Sequence, residues 1–423
     1  MEEKRLEKAI LVGLNAKDLP IEQAVSEESL DELNELLSTA GGVCVGRLIQ
    51  NRQTPEPKTF LGTGKARELG EAAEQLGAEL IVFDNQLSPA QTRNLEEITG
   101  IRVIDRSTLI LDIFASRAET REGKLQVELA QYRYTLPRLT GKGVALSRLG
   151  GGIGTRGPGE TKLETERRHI RRHIAHLEEE LREVRTRRGL NRKQRIKNQV
   201  PLVAIVGYTN AGKSTLLNLL TGAGISAQNR LFDTLDPTTR RYRVSDTLEV
   251  VLSDTVGFIR KLPHHLVDAF RATLEELAFA DLVLHVIDAS DPDWREHARV
   301  VAGLMQELDA AQKPTVTVFN KIDACENTES LPRDEQTVWI SAMRGEGIDA
   351  LNRAIVKQLE TGLYRLRLHL PYHSLGLLDL LHRDTRVLRE EYLADCLEID
   401  VICDERLYPK VKEFRVKGND EDE

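Results

Sequence analysis

Apolar and polar positions alternate in different ways along the chain, and each pattern predicts a different structural unit. In the first 105 residues, short apolar runs alternate with amphipathic stretches. We predict strands at 9–13, 42–49, 80–83 and 102–104, with helices at 30–37, 65–75 and 89–98 between them. The third helix has a clear start, because Ser88 and Pro89 suit an N-cap and a first helical turn. This part is therefore predicted to form a small α/β domain.

From Thr108 the apolar residues recur mostly every three, four or seven positions, which is typical of long helices. One stripe comprises Leu111, Phe114, Ala118, Leu125, Leu129, Tyr132 and Leu136, and it ends where Pro137 interrupts the pattern. A second stripe comprises Leu163, Ile170, Ile174, Leu177, Leu181 and Val184. We expect one long helix for each stripe, paired as an antiparallel hairpin around the glycine-rich run 150–160. That run either brings backbone N–H groups close to an anion or is a flexible turn.

After Pro201, strands again alternate with helices to about residue 362, which predicts a mostly parallel sheet. The remaining residues follow a smaller α+β pattern and end in the acidic run 418–423, which is too charged to pack. The predicted domains are therefore 1–106, 107–200, 201–362 and 363–423.

The composition is that of an ordinary globular protein, with 40% hydrophobic and 30% charged residues. No apolar stretch approaches the roughly 20 residues of a membrane span, and the charged start, Met1 to Arg5, lacks the apolar core of a secretory signal. We expect a cytoplasmic protein without a membrane span. Four scattered cysteines without ligand spacing argue against a disulfide framework or a zinc site.

The net charge of −8 hides an uneven distribution. From Arg117 to Val200 there are 21 Lys and Arg against 10 Asp and Glu, a net charge of +11. Because the whole chain carries −8, the remaining residues carry −19. Within this part, residues 185–197 contain seven basic side chains and no acidic one. The middle of the chain is thus a candidate contact for a polyanion such as nucleic acid, and the alternative is a solvated helix end or linker.

The strand predicted at 202–206 runs directly into a loop of the pattern GxxxxGKS and then into an apolar helix. This is the setting that a phosphate-binding loop requires. Backbone N–H groups and the helix N-terminus would face the phosphates, Lys213 would reach the terminal two, and the Ser214 hydroxyl would bind Mg²⁺. The predicted phosphate site comprises Gly207, Tyr208, Thr209, Asn210, Ala211, Gly212, Lys213, Ser214 and Thr215.

Two later loops predict which base is bound. Asp323 closes the NKID sequence after the apolar run 315–319, and its carboxylate can accept hydrogen bonds from both the N1–H and the N2 amino group of guanine. Adenine lacks this pair of donors. The loop at 341–343 also follows a predicted strand and suits a backbone contact with the guanine oxygen. The predicted guanine site comprises Asn320, Lys321, Ile322, Asp323, Ser341, Ala342 and Met343, so we expect GTP and GDP as ligands.

Two further segments, the switches of such a site, would respond to the terminal phosphate. After the strand at 248–253 come Asp254, Thr255, Val256 and Gly257. Here the carboxylate can hold a water of the Mg²⁺ shell, and the glycine N–H can sense the γ-phosphate. The first switch, residues 232–239, must supply a second Mg²⁺-binding hydroxyl, and its predicted nucleotide contacts are Phe232, Asp233, Thr234, Leu235 and Asp236. Of its three threonines we choose Thr234, with Thr238 as the alternative. The predicted catalytic residues are Lys213, Thr234 and Gly257, and the predicted metal ligands are Ser214 and Thr234.

Phe258 follows Gly257, at the position where a Ras-like GTPase carries a glutamine that orients the attacking water. Phenylalanine cannot orient water by hydrogen bonding. We therefore predict slow intrinsic GTP hydrolysis that a partner accelerates. Asn210 resembles the asparagine of potassium-stimulated GTPases, so acceleration by K⁺ is a second hypothesis.

Together these motifs resemble the HflX family of ribosome-associated GTPases over nearly all 423 residues. The resemblance is carried by FLGTGK at 60–65, GGGIGTRGPGE at 150–160, GYTNAGKS, FDTLDPTT, DTVG and NKID, and the glycine-rich run is the most specific of them. The expected fold class is α/β: a P-loop GTPase domain with a mostly parallel sheet, preceded by a small α/β domain and a long antiparallel helical hairpin. A small α+β module follows.

The resemblance implies a GTP hydrolase that binds the large ribosomal subunit and splits or rescues ribosomes, especially under stress. It also implies that the N-terminal domain and the hairpin touch ribosomal RNA. Family members are reported to bind ATP as well, so ATP hydrolysis is a further expectation, although the guanine motif does not predict it. We expect a monomer when the protein is free.

Two other functions compete with this interpretation. A GTPase acting in another RNA transaction, such as ribosome assembly or tRNA modification, would have the same charge pattern, because charge alone does not distinguish RNA targets. A metabolic P-loop transferase is disfavoured, because both switches and the guanine motif are complete and no lid for an acceptor substrate is recognisable.

Overall fold

The computed structural model describes residues 6–20, 24–139, 158–197, 200–222, 231–232, 239–246, 248–255, 257–261, 277–325, 331–360, 363–404 and 407–416. Three features of the sequence lie outside these residues: the glycine-rich run up to residue 157, most of the first switch, and the acidic tail at 418–423. The basic side chains of the run 185–197 also lie outside the description.

The first unit is a four-stranded parallel sheet with the strand order β2-β1-β3-β4. Its strands are β1 Glu7–Ala16, β2 Gly42–Arg52, β3 Leu80–Phe83 and β4 Arg102–Asp105, and its helices are α1 Glu27–Ala40, α2 Thr63–Leu76, α3 Pro89–Thr99 and α4 Arg106–Arg117. Ser88 caps α3 as predicted, since its hydroxyl accepts a bond from the Gln91 N–H while the Gln91 side chain accepts one from the Ser88 N–H. We call residues 7–117 the N-terminal unit.

A helical hairpin follows, formed by α5 Arg121–Arg138 and α6 Pro158–Lys197. The two helices run antiparallel around a small seam of Leu125, Leu129, Leu177 and Leu181. Along its edges, Arg121 reaches Glu180 at 2.7 Å, and His173 lies 3.0 Å from Glu128. None of the described helices combines the length and apolarity needed to cross a membrane.

The prediction of one continuous helix from Thr108 to Pro137 is wrong. The helix α4 ends at Arg117, and α5 starts anew because the Thr120 side chain accepts a hydrogen bond from the Gly123 N–H as an N-cap. The apolar residues of α4, such as Phe114, pack into the N-terminal unit and not into the hairpin seam. Pro137 lies inside the last turn of α5 and does not end the helix before Arg138.

The third unit, which we call the six-stranded unit, has the strand order β10-β9-β8-β5-β7-β6. Its strands are β5 Leu202–Gly207, β6 Thr239–Arg243, β7 Glu249–Asp254, β8 Leu282–Asp288, β9 Thr315–Asn320 and β10 Thr337–Trp339, and its helices are α7 Lys213–Thr221, α8 Trp294–Glu307 and α9 Ile348–Glu360. All paired strands are parallel except β6 with β7. The carboxyl ends of β5, β7, β8 and β9 therefore meet at one edge, where ligands bind in sheets of this kind.

The last unit is a three-stranded antiparallel sheet in the order β11-β13-β12. It comprises β11 Leu363–Pro371, β12 Arg386–Tyr392 and β13 Cys396–Asp404 with the short helices α10 Leu378–Asp384 and α11 Tyr408–Val411. The predicted α/β fold class is confirmed, whereas the predicted domain boundaries stay predictions.

One apolar cluster joins the N-terminal unit to the six-stranded unit. In it, Phe114 of α4 contacts Phe232 edge-on, with ring centroids 4.7 Å apart. Tyr208 and Phe258, from two loops at the ligand-binding edge of the six-stranded unit, belong to the same cluster. The N-terminal unit is therefore packed directly against the predicted nucleotide site.

Candidate functional site

The loop between β5 and α7 follows a path that its glycines make possible. A Cβ atom at Gly207 would lie 2.2 Å from the Val286 carbonyl oxygen. Gly212 has φ +91°, and a Cβ there would lie 2.2 Å from Asn320 Nδ2. Asn210 also adopts a left-handed φ of +63°, which asparagine tolerates. The chain thereby leaves the sheet and enters α7, whose N-terminal N–H groups can bind a phosphate.

Lys213 begins α7 and is buried in the loop, where its Nζ donates a hydrogen bond to the Tyr208 carbonyl oxygen at 2.8 Å. Burial lowers the pKa of Lys213 to about 8, although the nearby Asp254 carboxylate acts in the opposite direction. Burial and the charge of Lys213 together lower the pKa of His285 to about 4, so this histidine is neutral at pH 7. An anionic phosphate would favour the charged form of Lys213, as the predicted role requires.

Ser214 and Asp254 provide an oxygen pair suited to Mg²⁺. The Ser214 hydroxyl donates to Asp254 Oδ2 at 3.0 Å, and Asp254 is buried at the end of β7. Among the described residues, no group of three or more His, Cys, Asp or Glu side chains could hold a metal ion. Magnesium sites of nucleotide-binding proteins typically use only one or two protein oxygens together with phosphates and water, so this pair fits the ion. When bound there, Mg²⁺ would neutralise negative charge on the terminal phosphates.

The first switch is described at Phe232 and again at Thr239, where β6 begins. Phe232 is buried, with φ +56°, against Phe114 of the N-terminal unit. The other predicted contacts of this switch, Asp233, Thr234, Leu235 and Asp236, lie outside the described residues, as does the alternative Thr238. The choice of Thr234 as a catalytic residue and metal ligand stays a prediction.

The second switch lies directly on the phosphate loop. The Thr255 hydroxyl donates to the Ile205 carbonyl oxygen at 2.8 Å, and Val256 lies outside the described residues. A Cβ at Gly257 would lie 3.0 Å from Lys213 Nζ and 3.1 Å from Thr209 Cα, so this glycine contacts the loop closely.

Phe258 continues this contact through its backbone. Its N–H donates to the Gly207 carbonyl oxygen at 3.1 Å, and its own carbonyl accepts from the Thr209 N–H at 2.7 Å. The ring is 1% exposed and packs in the cluster shared with the N-terminal unit. The side chain at this position therefore belongs to the core and has no group that could orient a water molecule.

Asn320 holds the phosphate loop and the predicted guanine loop together. Its side-chain amide donates to the Ala211 carbonyl oxygen at 2.9 Å, and its side-chain oxygen accepts from the Ala342 N–H at 2.9 Å. The side chain is buried. In the described structure Asn320 thus connects the two loops, and its contact with the base stays a prediction.

Asp323, the carboxylate predicted to bind guanine, is held by residues of the following guanine loop. Its Oδ1 accepts a hydrogen bond from the Ser341 hydroxyl at 2.6 Å, and Arg344 lies 3.7 Å from Oδ2. The Ser341 hydrogen bond is the main reason that the pKa of Asp323 lies below its ordinary value. An ionised, acceptor-only carboxylate at this position can accept two bonds from guanine.

The remaining members of the predicted guanine site surround this carboxylate. Lys321 adopts φ +63° and forms an ion pair with Asp288 at the end of β8, with its Nζ 2.6 Å from the carboxylate. Ile322 packs its side chain into a small apolar cluster, whereas Met343 is 85% exposed. The structure thus brings together the predicted phosphate loop, Asp254, Gly257 and both guanine loops at one edge of the sheet.

Sequence reasoning missed the surroundings of Tyr208, the second residue of the phosphate loop. Its hydroxyl donates to Glu32 of α1, 176 positions away, and accepts from the Arg260 N–H at 2.8 Å. Its ring stacks on His297 at 3.8 Å. No linear motif could have revealed these partners. The only signal was an aromatic residue inside a loop that otherwise requires small or polar residues.

The hairpin carries an exposed basic face on α6. Arg168, Arg171 and Arg172 are exposed and lie three and four positions apart, on one side of the helix. The described ion pairs include one of these three arginines: Arg171 lies 3.7 Å from Glu164. Guanidinium groups in this arrangement are suited to the phosphates of a nucleic acid.

The chain is similar in sequence to known GTP-binding proteins. Three family models match the chain: GTP-binding GTPase N-terminal over residues 27–115, GTP-binding GTPase Middle Region over 117–195, and 50S ribosome-binding GTPase over 202–321. The chain is 49% identical to the GTPase HflX of Lacrimispora saccharolytica over 409 residues, 95% of each chain. It is 50% identical to the GTPase HflX of Escherichia coli over 349 residues, 81% of this chain and 82% of the relative. A solved GTP-binding protein of Sulfolobus solfataricus in complex with GDP covers 84% of this chain and 99% of its own, at 24% identity and a TM-score of 0.44.

Proposed function

The chain belongs to the HflX family of GTPases, and from this premise we propose that it binds the large ribosomal subunit in the cytoplasm and couples GTP binding and hydrolysis to ribosome splitting or rescue under stress. The observation that carries the proposal is a basic hairpin attached to a unit whose phosphate loop, second switch and predicted guanine loops meet at one edge of the sheet. The hairpin region carries +11, and three exposed arginines lie on α6. Such a surface favours an RNA partner, and the ribosome is the RNA assembly named by the matching family model.

The path from nucleotide to hairpin supports coupling. The second switch lies against the phosphate loop, and Phe258 is buried in the cluster shared with the N-terminal unit. The chain passes from that unit through α4 directly into α5 of the hairpin. A rearrangement of the second switch on GTP binding would therefore act on the elements that we propose to touch ribosomal RNA.

We further propose that the protein alone hydrolyses GTP slowly and that the ribosome supplies or positions the missing catalytic group. The support is Phe258, whose buried ring takes the place of a water-orienting side chain. Phosphate release should therefore rise strongly when large subunits are added. A purified protein that is already as fast as a fully activated GTPase would contradict this.

Sedimentation with large ribosomal subunits tests the partner. We expect the protein to cosediment with a non-hydrolysable GTP analogue and less with GDP or no nucleotide. The variant Arg168→Glu/Arg171→Glu/Arg172→Glu should lose this binding while retaining GTP affinity. Lys410→Glu/Lys412→Glu, a charge change on the C-terminal module, is the control. If binding does not depend on the nucleotide, the ribosome proposal fails and another RNA transaction, such as ribosome assembly or tRNA modification, becomes the better function.

A splitting assay tests the action itself. Intact ribosomes are incubated with the protein and either GTP or the analogue, and subunit dissociation is measured by light scattering. Splitting with the analogue would mean that binding does the mechanical work and that hydrolysis resets the protein. Intact ribosomes under both conditions would contradict a splitting function, and a rescue activity would then have to act without dissociation.

Three smaller proposals accompany this function. Asn210 is exposed on the phosphate loop, where we propose that it contributes to a K⁺ site, and equal hydrolysis rates in K⁺ and Na⁺ would contradict this. ATP hydrolysis is proposed from the family resemblance and is tested by the same phosphate-release assay. The free protein is proposed to be a monomer, which light scattering after gel filtration can measure.

A further inference from the structure

The predicted guanine site contains three apolar side chains, those of Ile322, Ala342 and Met343. Ile322 packs into a small apolar cluster and Ala342 is buried, so neither offers a large apolar surface to a ligand. Met343, in contrast, is 85% exposed, the highest value among the large apolar residues that the structure describes as exposed. An apolar side chain this exposed beside a ligand site gains free energy when a ligand covers it.

The backbone on both sides of Met343 is held in place. Before it, the Ala342 N–H donates a hydrogen bond to Asn320 Oδ1 at 2.9 Å. After it, the Arg344 N–H donates to the Ser341 hydroxyl at 3.2 Å. Met343 therefore lies in a tight turn that is tied to other residues of the predicted guanine site. Its side chain is free to adjust to a ligand, while its attachment point stays beside that site.

Guanine presents two kinds of surface to such a turn. Its edge carries the donors that the Asp323 carboxylate can accept, whereas the two faces of its ring are π surfaces. The Ser341 hydroxyl, 2.6 Å from Asp323 Oδ1, holds this carboxylate next to the turn that carries Met343. A thioether suits a ring face, because sulfur is polarisable and the methionine side chain has three rotatable bonds. The site thus offers a polar contact for the edge of the base and an apolar cover for its face.

The same exposure makes the Met343 sulfur accessible to oxidants. A peroxide transfers one oxygen atom to a thioether: the O–O bond breaks, an S–O bond forms, sulfur loses two electrons, and hydrogen peroxide leaves as water. The resulting sulfoxide is polar and no longer suits an apolar contact. Methionine sulfoxide reductases reverse the change, with two thiols converted to a disulfide and the oxygen released as water. Met305, the other methionine that the structure describes, is 6% exposed in α8 and is shielded from this reaction.

We propose that Met343 is a modification site: its side chain covers one face of the bound guanine, and oxidation of its sulfur by a peroxide weakens guanine-nucleotide binding until the sulfoxide is reduced. The proposal rests on the predicted guanine contact of residues 341–343 and is independent of the ribosome proposal. Because the contact is with the base and not with the phosphates, GDP and GTP lose affinity by the same factor.

The test treats the full chain with hydrogen peroxide and locates the added oxygen by peptide mass spectrometry. Affinities for GDP and for a non-hydrolysable GTP analogue are then measured by fluorescence titration. We expect Met343 to be oxidised before Met305, and both affinities to fall about twofold to tenfold, the range of one contact between a thioether and a ring. Treatment with methionine sulfoxide reductases and a dithiol should restore both affinities.

Two variants separate this sulfur from other oxidisable groups. Met343→Leu removes the sulfur but keeps an apolar side chain and all four cysteines, so peroxide should not change the affinity that this variant has before treatment. Met343→Leu/Lys357→Met adds a methionine at an exposed position of α9, outside the site, and its affinity should not respond to oxidation either.

The proposal is overturned if Met343 resists oxidation, or if its sulfoxide forms without loss of affinity. It is also overturned if peroxide weakens Met343→Leu as much as the wild type, because the response would then come from a different residue. Failure of the untreated wild type to bind GDP would instead contradict the guanine site itself, so the two failures are distinguishable.

Discussion

Lys213, the lysine predicted to bind phosphate, should lower the free energy of unfolding of the chain. It is 6% exposed, and its pKa falls from 10.5 to about 8 on burial. This difference corresponds to about 3 kcal/mol of unfolding free energy at pH 7. Lys213→Met retains the length of the side chain and removes the buried charge, but it also loses the hydrogen bond to the Tyr208 carbonyl oxygen, worth about 1 kcal/mol. We expect the variant to be more stable by about 2 kcal/mol, and to lose nucleotide binding.

The dependence on pH gives this prediction a second, independent check. The folded pKa of Lys213 is below the unfolded value, so the unfolded chain binds the extra proton between about pH 8 and 10.5. The destabilisation is therefore complete below pH 8 and disappears as the pH rises towards 10.5. The stability difference between Lys213→Met and the wild type should be largest at pH 7 and much smaller at pH 10.

Urea denaturation followed by tryptophan fluorescence is a suitable assay. Both tryptophans, Trp294 and Trp339, lie in the six-stranded unit, so the signal reports the unit that contains Lys213. Lys357→Met is the control: Lys357 forms a surface ion pair with Glu335 and should change stability by less than about 0.5 kcal/mol. The reasoning is refuted if Lys213→Met is no more stable than the wild type at pH 7, or if its advantage persists unchanged at pH 10.

Three further predictions concern the same site. Gly212→Ala should weaken nucleotide binding by at least about tenfold in calorimetry, because Gly212 has a left-handed φ and a Cβ there would lie 2.2 Å from Asn320. Gly222→Ala is the control: Gly222 also has a positive φ, of +64°, but open space around it, so affinity should be unchanged. Asp323→Asn replaces a carboxylate that accepts two hydrogen bonds by an amide that also donates, so competition titration should show roughly tenfold to a hundredfold weaker GTP binding. Binding of xanthine nucleotides should improve, because xanthine carries an oxygen where guanine carries its N2 amino group. Phe258→Gln should not accelerate phosphate release, because the side chain points into the core; it should instead destabilise the protein by about 3 kcal/mol in urea denaturation. Faster hydrolysis by that variant would contradict the assignment of Phe258 to the core.

The parts of the site that sequence could predict are those encoded in short continuous segments. The phosphate loop needs its glycines and Lys213 at fixed spacing, and the guanine loop needs Asp323 directly after a strand, so local sequence reveals both. The parallel order of the strands then brings these loops to one edge. The fold class followed from the same alternation of strands and helices.

Other features depend on contacts between distant residues. The break between α4 and α5 depends on one N-cap, Thr120, within a stripe whose periodicity continues almost undisturbed across it. Periodicity therefore could not show that Phe114 packs on the N-terminal unit while Leu125 packs in the hairpin. The link from Tyr208 to Glu32 likewise joins two units whose packing no local pattern specifies.

Phe258 connects the slow hydrolysis that we propose with the packing of the second switch on the N-terminal unit. A glutamine at this position could orient water only if its side chain faced the nucleotide, but the side chain of residue 258 points into the cluster shared with the N-terminal unit. A polar group there would be buried at a cost, so the position favours an apolar residue. That ring then holds the second switch against the N-terminal unit, while the backbone on either side pairs with the phosphate loop. The packing that removes a catalytic group from residue 258 is thus the same packing that attaches the second switch to the N-terminal unit.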